Sequence, residues 1–105
     1  MASLVWSPEA LEDIESIASF IERDSAWFAK VVVSKIVGLA ETIILNPEMG
    51  RVVPEIGQKN IRERFVYSYR VIYRIELEPI LVVAVIHGSR VLLPLMPNTE
   101  ANCID

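Results

Sequence analysis

With 105 residues, 52% of them hydrophobic, and a mean hydropathy of +0.39, the chain makes one domain with a real core and has no room for a second. A formal charge of −4 excludes a general nucleic-acid binder, whose phosphate affinity comes from Lys and Arg. The longest unbroken apolar run, Ile80 to Ile86, excludes a membrane helix, which needs roughly 20 such residues. Hydropathy this high predicts either an unusually rich core or a surface that a partner covers. A lone cysteine, Cys103, cannot form an intrachain disulfide, and the N-terminus has no basic segment of the signal-peptide type. A reducing cytoplasm is therefore the expected location.

Residues 2–6 (ASLVW) are short and apolar and predict an edge strand added to a later sheet. Ser7-Pro8-Glu9 predicts a helix start: a hydroxyl N-cap, proline at the first helical position, and an acid in the first turn. Leu11, Ile14, Ile17, Ala18 and Ile21 then recur at helical spacing. Glu12, Asp13, Glu15 and Glu22 fill the other side as a solvated face; no metal site is expected, because no His or Cys follows at ligand spacing. Asp24-Ser25 ends this helix and caps a second over 26–45, stopped by Asn46-Pro47. That second helix is apolar nearly all round, despite the β-branched Val31-Val32-Val33, and so is expected to be buried on two sides, by the sheet and by its sister helix or a partner. A link this short makes the pair an antiparallel hairpin.

Pro47 to Gln58 reads as a loop, broken by Gly50, Pro54 and Gly57. Three strands follow at about 60–66, 69–77 and 80–87, joined by breaks short enough only for antiparallel neighbours. The last is apolar on both faces, which suits the sheet centre. Alternation sets Arg62 and Arg64 opposite Ile61, Glu63 and Phe65, and places Arg70, Ile72 and Arg74 together. The expected fold is α+β, in the order β-α-α-β-β-β: an N-terminal strand and an antiparallel helix hairpin on a small antiparallel sheet. The domain spans 1–97, with a polar tail at 98–105. Ile14, Val32, Ile36, Val71 and Val83 are expected between hairpin and sheet.

Charge is unevenly spread. Residues 1–50 carry eight acids against three bases, and residues 51–90 carry seven bases against four acids. Two readings follow. The arginines form a cationic face for a specific anionic target, with Arg70, Arg74 and Arg90 converging, or they pair with Glu55, Glu63 and Glu76.

The motifs Gly50-Arg51-Val52-Val53-Pro54-Glu55, Ile61-Arg62-Glu63, Tyr69 to Arg74 and Val85-Ile86-His87-Gly88-Ser89-Arg90 stand in that order on this architecture. Together they resemble the RelE/ParE superfamily of bacterial type II toxin–antitoxin modules, over residues 3 to 90 or so. The resemblance implies a toxin without cofactor or metal, held in a hetero-oligomer by a cognate ParD-like antitoxin. It also implies one of two activities. The RelE branch cleaves mRNA on the ribosome, which needs a base, an acid and cations that hold a charged transition state. Matching positions are Arg70 and Arg90 as cations, with Arg62 and Arg64 near the family's basic pair. That pair is lysine in RelE, and an arginine cannot lose its proton. Where RelE has a tyrosine beyond the last arginine, this chain has Met96. His87 and Glu55 remain as the titrating candidates.

The ParE branch inhibits DNA gyrase by protein contact, with no catalytic constellation. The long hairpin, the V-P-E-x-G loop and the H-G-x-R ending look most like this branch. Its target-binding candidates are Arg51, Arg62, Arg64, Arg70, Arg74 and Arg90, and its antitoxin-binding candidates are Trp27, Val31 and Ile43. His87 is then a strand-end residue.

Overall fold

Ser7 is the joint between sheet and helices. In a computed structural model, which describes residues 3–76 and 79–88, strand β1 (Leu4–Trp6) runs into Ser7 and helix α1 (Pro8–Glu22) begins at once. The buried Ser7 hydroxyl accepts from the Ala10 amide at 3.0 Å and donates to the Val83 carbonyl at 3.2 Å, so one atom caps the helix and ties it to the sheet. Ser7→Ala loses both bonds and is expected to cost about 1–2 kcal/mol, read as a lower urea midpoint with an unchanged slope.

Ser25 caps helix α2 (Ala26–Ile43), its hydroxyl accepting from the Phe28 amide at 3.0 Å. The triple valine does not break α2, because Ala29, Val32, Ile36, Ala40 and Ile43 form a continuous buried stripe at helical spacing. The helix packs on two sides, against its sister helix and against the sheet, but its remaining surface is open. Trp27, Phe28 and Val37 are 72%, 40% and 37% exposed. The helix also ends two residues early, and Leu45 lies exposed before Pro47.

The 47–58 loop holds two short elements that no periodicity announces: a 3₁₀ turn at Pro47–Met49 and strand β2 (Arg51–Val52). Gly50 is required between them, since a Cβ there would lie 2.4 Å from the Tyr73 hydroxyl and 2.8 Å from the Glu63 carbonyl. That hydroxyl accepts from the Gly50 amide and donates to the Pro47 carbonyl, and burial pushes the phenol's pKa upward.

β3 (Ile61–Val66), β4 (Tyr69–Arg74) and β5 (Ile80–His87) complete a five-stranded sheet of order β1-β5-β4-β3-β2. β1 pairs with β5 in parallel at Leu4–Ile80 to Trp6–Val82; the other pairings are antiparallel. β4, not β5, takes the centre. The two-residue loop Tyr67-Ser68 fixes the β3–β4 register, with Tyr67 at φ 53°, a conformation more usual for Gly or Asn.

α1 lies over β5, and α2 over α1 and β3. The main core on this inner face joins Ile17, Val32, Ile36 and Ile43 to Val66, Val71, Tyr73, Val82 and Val85, with Ile14 half-buried against it. β5 carries a bulge: Ile72 pairs with Ala84 but Tyr73 with Val82, which leaves Val83 extra. Val82 and Val85 therefore both face the helices, while Val83 moves out to a second cluster of Val53, Ile61, Ile72, Ala84 and Ile86 on the outer face. Neither face is simply apolar or simply cationic.

Candidate functional site

On the outer face the arginines are already paired. Glu63, mid-strand in β3 and 1% exposed, lies diagonal to Arg70 on β4 and directly opposite Arg51 on β2. Arg70 Nε donates to Glu63 Oε1 at 2.6 Å, and its two terminal nitrogens donate to the two Glu55 oxygens at 2.8 Å each, a bidentate fork. Arg51 Nε meets Glu63 Oε2 at 2.5 Å, and its guanidinium stands 5.4 Å from the centre of the Phe65 ring. The Glu55 bonds first, then those of Glu63, hold Arg70 more firmly protonated than usual against the opposing effect of burial. Arg74 pairs separately with Glu76, at 2.5 Å near the surface. Of the two readings of the arginines, pairing with Glu55, Glu63 and Glu76 describes this face. Arg70 and Arg74 do not converge on an empty anion site, and Arg90 lies outside the described residues.

The inner face holds the remaining candidates. Arg62 donates to the carbonyls of Lys59, Glu48 and Gly50 at 2.8, 3.1 and 3.0 Å, stitching the preceding loop to the sheet edge. Arg64 is half-buried beside it, close enough to Tyr73 to affect the phenol electrostatically. His87 sits across the ladder from Tyr69, ring edge to ring face at 5.8 Å, at the mouth of a groove under α1. Arg70 and Glu55 thus pair with each other on one side of the sheet while His87 lies on the other. The set a nuclease would need is not brought together by the described residues. Nor do any three His, Cys, Asp or Glu side chains among them gather to hold a metal ion.

The helix hairpin presents a different surface. Trp27 is exposed, Val31 is half-buried, and Ile43, the last residue of α2, is fully buried against the core, so Ile43 offers no side chain to a partner. Sequence reasoning missed Tyr67, 55% exposed at the hairpin tip, which meets Phe28 edge-on at 5.9 Å. A tyrosine in a two-residue turn was the available signal. No helix of the described residues is long and apolar enough to cross a membrane.

Two helices on one face of a five-stranded sheet, with the first strand joined in parallel at its edge, define the RelE/ParE toxin fold. A structure described as the chromosomal ParDE toxin–antitoxin system from P. aeruginosa superposes with a TM-score of 0.70 at 18% identity, covering 83% of this chain and 96% of that one. A YoeB dimer from Staphylococcus aureus superposes with a TM-score of 0.58 at 17% identity, covering 82% and 95%. No curated protein sequence gives a match. The family described as the ParE toxin of the parDE type II toxin–antitoxin system matches residues 4–92, and the chain belongs to that family.

Proposed function

We propose that this toxin arrests growth by binding DNA gyrase in the cytoplasm and is neutralised in a complex with a cognate ParD-like antitoxin. The observation that supports binding over catalysis is the occupation of Arg70 by Glu55 and Glu63 on the face away from His87. A phosphate-cleaving site needs a cation ready for developing charge and a base within reach of the same phosphate. Here the best-placed cation and carboxylate are spent on each other. The ParDE description of a structural neighbour supports the antitoxin. Exposed Trp27, Phe28 and Tyr67 offer the large aromatic anchors on which protein interfaces concentrate their affinity.

The test is induced expression with and without the antitoxin gene. The wild-type chain alone is expected to stop growth and raise the SOS response, and co-expression is expected to restore growth. His87→Gln is expected to remain as toxic as the wild type. Loss of toxicity in that variant at unchanged protein level would count against the proposal.

A further inference from the structure

Of the five arginines on the described strands, Arg51, Arg70 and Arg74 meet carboxylates, while Arg62 and Arg64 do not. Arg62 directs its donors to three neutral carbonyls, so its hydrogen bonds are made while its charge stays uncompensated. Glu48 contributes its carbonyl to that set, not its carboxylate. Arg64, two residues on, has no hydrogen bond or ion pair among the described residues. A spacing of two puts both on the inner face of β3, with roughly 7 Å between their Cα atoms. Their field reaches the Tyr73 phenol, where both act to lower a pKa that burial raises. A half-buried guanidinium without a partner has given up part of its hydration for nothing in this chain.

The same corner is held rigid and presents apolar side chains. The Tyr73 hydroxyl bonds the Pro47 carbonyl and the Gly50 amide, and Arg62 bonds the carbonyls of Glu48 and Gly50. From this pinned 3₁₀ turn Met49 stands 61% exposed, and Leu45, just before it, is 84% exposed. A turn fixed this firmly loses little conformational freedom when a partner covers its side chains. The corner lies at the C-terminal end of α2, roughly 25 Å along the helix from Trp27. Nucleic acid suits it poorly, because Leu45 and Met49 give a base no ring to stack on. A protein surface that sets a carboxylate beside an apolar side chain matches it.

We infer that the corner formed by Leu45, Met49, Arg62 and Arg64 is the contact surface for the toxin's protein target, taking a carboxylate of that target against Arg64 and an apolar side chain over Leu45 and Met49. The inference rests on the gyrase reading above and specifies which surface engages that target and by what chemistry. The chain as a whole carries a charge of −4, so an acidic partner is repelled by the body and drawn to this corner. That contrast sets the orientation of the encounter, and the apolar contacts hold it.

The test measures inhibition of supercoiling by purified gyrase, with antitoxin binding and thermal unfolding followed on the same full-length chains. Arg64→Glu is expected to raise the concentration for half-inhibition at least about tenfold, and Arg64→Lys to recover most of that loss. Leu45→Ser/Met49→Ser, at two exposed positions, is expected to weaken inhibition at least about tenfold as well. All three chains are expected to keep the thermal midpoint and antitoxin affinity of the wild type. Wild-type inhibition by both Arg64→Glu and Leu45→Ser/Met49→Ser would overturn the inference while leaving the gyrase reading intact. If Arg64→Glu lowers the thermal midpoint, the Leu45→Ser/Met49→Ser chain decides alone by the same criterion. Antitoxin binding lost while gyrase inhibition stays would assign the corner to the antitoxin and refute the inference, as would a loss confined to RNA binding. No inhibition of gyrase by the wild-type chain would overturn both.

Discussion

Arg70→Ala is expected to destabilise the fold by about 3–5 kcal/mol, the loss typical when one member of a buried ion pair is removed. The Arg70 side chain is 4% exposed, and its partner Glu63 is fully buried, with the surface-reaching Arg51 as its second cation among the described residues. Without Arg70, a carboxylate stays in the core with its charge half compensated, and Glu55 loses the fork that holds its loop to the sheet. Equilibrium urea unfolding measures this loss directly. The double variant Arg70→Met/Glu63→Leu is expected to recover most of it, because well-packed apolar groups commonly replace a buried pair without loss. This separates two explanations of a non-toxic Arg70→Ala. If toxicity fails because folding fails, the double variant regains it; if the guanidinium acts on the target, the double variant folds and stays harmless.

Ile36→Ala is expected to cost about 2–5 kcal/mol, from lost transfer energy plus the cavity left behind. Ile36 has no exposed surface, and it lies in the α2 stripe with Val32 and Ile43 against the sheet residues Val66 and Val71. A domain of this size holds about 5–15 kcal/mol in all, so the midpoint of thermal unfolding should fall by roughly 4–8 °C for each kcal/mol lost. The neighbouring Val37→Ala is the control. Val37 is 37% exposed, and alanine favours helix, so its effect should stay within about 0.5 kcal/mol of zero. Equal effects at both positions would contradict the placement of α2.

Elements whose signal is local were legible in the sequence. Ser7-Pro8-Glu9 and Ser25 carry their caps in their own side chains, and the strands of the β3–β4 hairpin fall within a residue or so of their sequence limits at the N-terminal end and around the turn. β2 was not legible, because two residues cannot display a period of two. Nor was the bulge at Val83: β5 is apolar on both faces, so shifting its alternation changes no hydrophobic pattern. The same lack of contrast hid the orientation of α2, leaving Ile43 and Trp27 equivalent in sequence though one is buried and the other exposed.

The candidate site was legible as a list of partners but not as a geometry. Glu55, Glu63 and Glu76 were visible as possible counter-ions. Which arginine each one meets depends on the register set by the Tyr67-Ser68 turn and on the fold of the 53–58 loop, both non-local. The separation of His87 from Arg70 is likewise a matter of sheet faces. Tyr69 and Arg70 are adjacent in sequence, and only the pairing of Tyr69 with His87 puts the histidine on the helix side.

The most direct measurement places the purified toxin with DNA gyrase and supercoiled DNA in one assay and with a translating extract in another. Loss of supercoiling or trapping of cleaved DNA in the first, reversed by the antitoxin, with intact mRNA in the second, is the expected result. Codon-phased cuts in the mRNA that vanish in the His87→Gln variant, with gyrase unaffected, would contradict it.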